Sequence, residues 1–252
     1  METKLIFAQD TGLKKLRLAL IELEGLHWER AAEVAPEALF EIILEQARAS
    51  GTEARVSQPQ SPARDSRLTE SRTRAVRDML RNGSYKPAGR AKPSSEYLLA
   101  AALDGDFPRV NPFVDAVNLA SLKYLYPMSI FDADKAGGAL VCRLGAAGES
   151  YVFNSGGQII DLEDLLCVCA KAPAVESGIS RRAAAPEAGA GGIPIVNPVR
   201  DSMATKLFEC AHNAIAIIYA PSGAEGADLE QAAADIAAWC GRACDRTAIR
   251  LF

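Results

Sequence analysis

The middle of the chain limits the fold most strongly. Three short apolar runs, 139–144, 150–153 and 165–170, are punctuated by Gly137-Gly138, Gly148-Glu149 and Gly156-Gly157. Apolar runs of that length bounded by turn residues read as strands of a sheet. Residues 16–23 (Leu-Arg-Leu-Ala-Leu-Ile-Glu-Leu) and 213–220 read the same way. Between these runs the period changes. Pro36 suits a first helical turn, and Leu39, Ile43 and Ala47 recur every four residues after it. Over 64–81, Arg67, Arg74 and Arg81 project within about 40° of one another, with Val76 and Leu80 opposite, and Asn82-Gly83 ends the helix. A further short helix starts with Ser94 or Ser95 as N-cap and runs through Tyr97, Leu98, Ala101 and Ala102. Near the C-terminus, Ser222 and Glu225 have capping-box spacing ahead of a stripe of Leu229, Ala233, Ile236 and Cys240. The polar stretch 50–62 reads as a surface connection and the Ala/Gly/Pro-rich stretch 172–194 as a flexible loop. Strands and helices in this mixture predict an α+β domain spanning 1–252, with no visible repeat.

Composition excludes several classes. A chain that is 49% hydrophobic and 24% charged is neither disordered nor a collagen-like or small disulfide scaffold. It has no run of about 18 apolar residues that would span a membrane. Met1-Glu2-Thr3-Lys4 does not open a secretory leader, so a cytoplasmic location is expected, without a membrane partner. The net charge of -4 is unevenly spread: 64–92 holds nine basic residues against three acids, so the rest of the chain is strongly acidic. A local anion-binding face on an acidic protein is therefore allowed. The six cysteines form no CxxC pair, and with only two histidines they read as buried thiols, not metal ligands. Cys167 and Cys169 share one strand face, while Cys240 and Cys244 have the spacing of one helical face. No metal or other cofactor is expected.

Motifs carry the reading further. Arg109-Val-Asn-Pro-Phe-Val-Asp-Ala-Val-Asn118 is followed by Tyr126-Pro-Met-Ser-Ile-Phe-Asp132, then Gly137-Gly-Ala-Leu-Val-Cys-Arg143 and Gly148-Glu149. In order and spacing these pieces resemble the B3/B4 domain of the phenylalanyl-tRNA synthetase beta subunit, the module that edits mischarged tRNA. Gly83-Ser-Tyr-Lys-Pro87 with Arg90, and Asp201-Ser-Met-Ala-Thr-Lys206, are similar to segments of stand-alone B3/B4 proteins. The resemblance runs with gaps over 64–219. It implies a mixed, mainly antiparallel sheet packed by helices, and a free-standing version of the domain, not a complete synthetase.

What the resemblance implies about function is hydrolysis of a wrongly charged aminoacyl ester on tRNA. Such an ester is already activated, so a pocket that positions water and stabilises an oxyanion supplies much of the acceleration. By this resemblance Asn118, Ser121 and Ser129 are the catalytic candidates, and Val117, Asn197, Arg200 and Thr205 the substrate-binding ones. Val117 and Ser129 stand where synthetase editing sites carry Thr and His. Arg74, Arg81, Lys86, Arg90 and Lys92 are the candidate tRNA contacts, against the plainer reading of a solvated basic face. Plainer readings also stand beside other residues: caps for Asp115 and Asp132, a turn acid for Glu149, a structural pair for Arg143, and a local ion pair for Arg200 with Asp201. Two functions of different class follow. One is a trans-acting aminoacyl-tRNA deacylase acting on the acceptor end; the other is a non-catalytic RNA-binding or amino-acid-like small-molecule-binding module on the same scaffold.

Overall fold

The computed structural model describes residues 3–9, 11–53, 64–171, 191–223 and 226–252. Its most buried strand is β2 (Leu16–Leu26), which extends three residues beyond the predicted run. Leu18 through Ile21 have no exposed surface, so the strand is covered on both faces and must be central. It pairs antiparallel with β9 (Asn213–Pro221) on one side and with β10 (Cys244–Leu251) on the other. Strand β3 (Met128–Asp132) adds antiparallel to β9, giving the order β10-β2-β9-β3.

A second four-stranded sheet has the order β1-β4-β7-β8, formed by β1 (Lys4–Phe7), β4 (Ala139–Leu144), β7 (Leu166–Ala170) and β8 (Ile193–Val196). Only the β1–β4 ladder of these two sheets is parallel. A two-stranded ribbon, β5 (Ser150–Val152) with β6 (Ile159–Asp161), projects between β4 and β7 in the chain. The sheets are thus mixed and mainly antiparallel, as expected. Along β7 the side chains alternate: Leu166 and Val168 join the main core, while Cys167 and Cys169 join a small cluster with Leu162, Leu165 and Val199. The cysteines share one strand face and are buried free thiols.

The helices are α1 (Glu37–Glu53), α2 (Arg64–Leu80), α3 (Ser94–Asp104), α4 (Pro112–Tyr124), the single turn α5 (Ala133–Ala136) and α6 (Gly226–Cys240). In α2, Val76 and Leu80 are buried and Arg74 exposed, as the periodicity requires, and Arg81 just after the helix is exposed too. The N-cap of α3 is Pro93 instead of a serine, because the chain enters in a proline-compatible extended conformation and no side chain caps the helix. The expected partner of Ser222, Glu225, lies outside the described residues, as does most of the 172–194 loop; its last residues, Ile193 and Pro194, open β8. Cys240 ends α6 and Cys244 begins β10, so those two thiols occupy different elements. Among the described residues no helix is long and apolar enough to cross a membrane.

Helix α4 is the element that positions the site. Asn111 caps it, accepting a hydrogen bond from the Val114 N–H at 3.0 Å, and Pro112 occupies its first turn. Leu125, in left-handed conformation, ends it. Eight of its 13 residues are buried, which leaves little room for a polar face. The amide nitrogen of Asn111 also donates to the Leu207 carbonyl at 3.2 Å, tying the helix start to a distant loop. We predict that Asn111→Ala lowers stability by about 1–2 kcal/mol, the cost of a lost cap, in urea denaturation. Asn111→Asp, which keeps the cap but not the amide donor, recovers the cap contribution and still loosens the 207–209 segment in hydrogen exchange.

Candidate functional site

Strand β3 is the edge of its sheet, and the segment following β8 crosses it. An antiparallel bridge between Phe131 and Lys206 fixes that crossing. Between this junction and helices α3 and α4 lies a cleft of about 820 Å³. Its apolar walls come from Leu98, Val114, Val117, Met128, Ile130 and Leu207. Its polar side chains include Asn118, Asn154, Arg200, Lys206 and two carboxylates, Asp201 and Glu209. An apolar cavity of this size with a few convergent polar groups has the form of a small-ligand site.

Asp201 is the group with the most unusual setting. The residue is half-buried and lines the cleft. The Ser129 hydroxyl lies 2.7 Å from Asp201 Oδ1, and 3.3 Å from both the Tyr219 hydroxyl and the Asn197 carbonyl. Ser129 therefore donates to the carboxylate while Tyr219 can donate to Ser129. Burial pushes the Asp201 pKa up to about 7; the Ser129 hydrogen bond, the backbone of Asn197 and Ile130, and the Lys206 charge only partly oppose it. A carboxyl group that titrates near neutrality is matched to proton transfer at physiological pH.

The loop that carries Asp201 is rigidly built. Asn197 Oδ1 accepts from the N–H groups of Val199 and Arg200, both at 2.8 Å. Its amide nitrogen donates to the Tyr151 hydroxyl, which in turn donates to the Arg200 carbonyl at 2.6 Å. Arg143 braces the sheet beneath, paired with Glu149 at 2.6 Å and donating to the carbonyls of Gly191 and Gly192. Glu149 is thus a half-buried ion-pair member and not a solvated turn acid. Asp132 caps α5 as its position anticipates, whereas Asp115 instead holds the Val110 N–H and Arg109.

The sequence-predicted site residues fall into three groups. Val117, Asn118 and Arg200 line the cleft. Ser129 and Asn197 lie just behind the lining, one against the Asp201 carboxylate and one inside its loop. Ser121 and Thr205 are buried elsewhere: Ser121 donates to the Tyr126 carbonyl at 2.6 Å, and no partner for Thr205 Oγ1 occurs among the described residues. Asp201 itself stands outside the predicted catalytic set. Adjacency in sequence gives it Arg200 as a partner, but the two side chains diverge. The Arg200 guanidinium lies 4.5 Å from the Phe153 ring centre and 5.4 Å from that of Tyr97.

The candidate RNA contacts also separate. Lys86 and Arg90 line a second cleft of about 860 Å³ that shares Tyr97, Phe153 and Arg200 with the first. Lys92 lies 4.5 Å over the Tyr97 ring. Arg74, on α2, and Arg81, just after it, line neither cleft, and Arg81 pairs with Asp78. Among the described residues no group of three or more His, Cys, Asp or Glu side chains is placed to hold a metal ion.

Two clefts that share lining residues thus lie on one α+β scaffold, the first with the Asp201 carboxyl group on its wall. Residues 86–181 match the family model of the B3/4 domain. The matched stretch contains α3, α4, β3 and the β4–β7 region, including Asn118 and Ser129; Asp201 and Arg200 lie beyond it. No curated protein matches the chain.

The raised pKa makes a stability prediction. The folded protein keeps the Asp201 proton up to about pH 7, whereas the unfolded chain loses it near 3.8. The folded state therefore binds the extra proton between those values, and its stability falls as pH rises from about 4 to 7. Asp201→Asn removes the buried charge and is expected to be more stable than wild type at pH 8, by about 1–3 kcal/mol. That advantage shrinks towards pH 4, as read from denaturant midpoints at both pH values.

Proposed function

We propose that this protein binds the acceptor end of an aminoacyl-tRNA and hydrolyses the ester that joins amino acid to ribose. The observation that carries the reading is the Asp201 carboxyl group, seated on the wall of a cleft roomy enough for an aminoacyl group and hydrogen-bonded there by Ser129. The B3/4 match and the resemblance to the synthetase editing module supply the RNA-bound substrate class.

The reaction follows from what the cleft holds. In its ionised form Asp201 takes a proton from a water molecule as that water attacks the ester carbonyl carbon. The carbonyl oxygen becomes an oxyanion, for which the Asn118 amide and the Lys206 ammonium are the donors lining the same cavity. The intermediate then breaks its bond to the ribose oxygen, and protonated Asp201 returns the proton to that leaving oxygen. Free amino acid and uncharged tRNA are the products. Ser129 acts through Asp201 by orienting its carboxylate and is a positioning residue. Val117 presents methyl groups to the ligand and cannot share a proton.

A second reading is binding without turnover, favoured by Val117 and Ser129 standing where synthetase editing sites carry Thr and His. A panel of charged tRNAs separates the two. The deacylase reading expects release of amino acid from at least one of them, with Asn118→Ala about 10²-fold slower and Asp201→Asn slower by about 10²–10⁴-fold. Activity should rise with pH to a plateau above about 7, because Asp201 works deprotonated. Ser129→Ala should move that rise to higher pH, since its hydrogen bond lowers the Asp201 pKa. A full panel left intact by wild type would leave only the binding function.

A further inference from the structure

We propose that β10 is a self-association edge, along which two copies of this chain pair antiparallel about a two-fold axis at Ile249. Among the described residues β10 pairs only with β2, and none of its eight residues is buried. Leu18 and Phe252 exchange both backbone hydrogen bonds, at 2.8 and 3.0 Å, which sets the alternation along the register. Arg246, Ala248 and Arg250 therefore bond to β2, while the N–H and C=O groups of Thr247, Ile249 and Leu251 point out from the sheet.

Exposed sheet edges are normally guarded, and the other edges of the two four-stranded sheets are. The Lys206 segment crosses β3 at Phe131, β8 contains Pro194, and β1 has only four residues. Strand β10 has no proline, and its register with β2 runs unbroken from Arg246 to Leu251. Its charges, the usual guard, are engaged within the chain. Asp245 lies 2.7 Å from His27, Arg246 3.5 Å from Glu24, and Arg250 3.1 Å from the wholly buried Glu22. The large side chains left exposed without a partner are apolar. Ile249 is 42% and Leu251 40% exposed, both on the face shared with Thr247, and Phe252 follows at 38%.

The strand's own sequence makes a second copy the fitting occupant. Because the outward groups alternate, the axis of an antiparallel self-pairing has to fall on a residue and not between two. An axis at Ala248 sets Arg246 against Arg250, one at Arg250 opposes two guanidinium groups, and one at Thr247 sets Ile249 against Asp245. An axis at Ile249 sets Ile249 against its own copy, Thr247 against Leu251, Ala248 against Arg250 and Arg246 against Phe252. No like charges are then opposed. That register adds about six main-chain hydrogen bonds and joins two four-stranded sheets edge to edge. Strands β10 and β3 are opposite edges of one sheet, and no β10 residue lines either cleft, so the pairing uses none of the site's residues.

Sedimentation velocity on the full chain over a range of concentrations, with amide exchange followed by NMR, tests this. The expected result is a monomer–dimer equilibrium in which the Thr247, Ile249 and Leu251 amides are protected only where the dimer is populated. Ile249→Arg opposes two cations at the axis and should weaken association by about tenfold or more. Thr247→Pro removes an outward N–H without taking a bond from the β2 ladder and should act in the same direction. Ile42→Arg, at an exposed apolar position on α1, should dimerise as wild type does. A chain that is monomeric throughout overturns the proposal. So does a dimer that persists undiminished in Ile249→Arg, or a wild-type dimer in which those three amides exchange freely. Protection of the three amides that is independent of concentration assigns the edge to another part of the same chain, and overturns it too. The exchange measurement on wild type decides the matter even where a variant fails to fold.

Discussion

Asp201 holds a half-buried carboxyl group on the wall of a cleft, with the Ser129 hydroxyl 2.7 Å away as its side-chain hydrogen-bond donor. Burial disfavours the charged form, and one hydroxyl and nearby backbone dipoles do not restore what water would give. The surrounding fold has to hold this arrangement against its tendency to open. It does so by drawing the loop after β8 across β3, fixed by the Phe131–Lys206 bridge and by the Asn197 and Tyr151 hydrogen bonds within the loop. Strand β3 in turn is locked to β9, whose residues from Ala214 to Ala220 are wholly buried. The core thus supplies a rigid base on which a locally unfavourable group persists.

The rest of the cleft follows from that anchoring. Helix α4 approaches β3 with Val117 and Asn118 on the side facing the cavity, and its cap residue Asn111 reaches the 207 segment that closes the opposite rim. Arg200, one residue before the buried acid, is turned away from it by the bound loop backbone and placed between two aromatic rings. Two neighbouring residues therefore face differently: Asp201 lines the first cleft, and Arg200 lines both.

Where the sequence carried periodic signals, the fold was readable. Strands β2, β4, β7 and β9 and helices α1, α2, α3 and α6 all announce themselves through apolar runs or a stripe with a cap or turn. The unread elements share physical causes. Helix α4 is buried around most of its circumference and shows no amphipathic face. Strand β10, Cys-Asp-Arg-Thr-Ala-Ile-Arg-Leu, is a polar edge strand, and β8, Ile-Pro-Ile-Val, follows a Gly-rich stretch and includes a proline. Of the site, Asn118 and Ser129 were reached through motif order. Asp201 was not, because its pairing with Ser129 spans 72 positions and leaves no local pattern; its neighbour Arg200 and its place at the head of the Thr205-Lys206 segment point to no such role.

The central physical claim is that Asp201 titrates near neutrality inside a cleft made for an acyl group. Carboxyl-carbon NMR of the labelled protein, compared with Asp201→Asn to assign the signal, measures this directly. The account predicts a midpoint near pH 7, moving upward in Ser129→Ala and shifting again when a non-hydrolysable amide-linked aminoacyl-adenosine fills the cleft. A midpoint near 4 that responds neither to Ser129 nor to that ligand would contradict it.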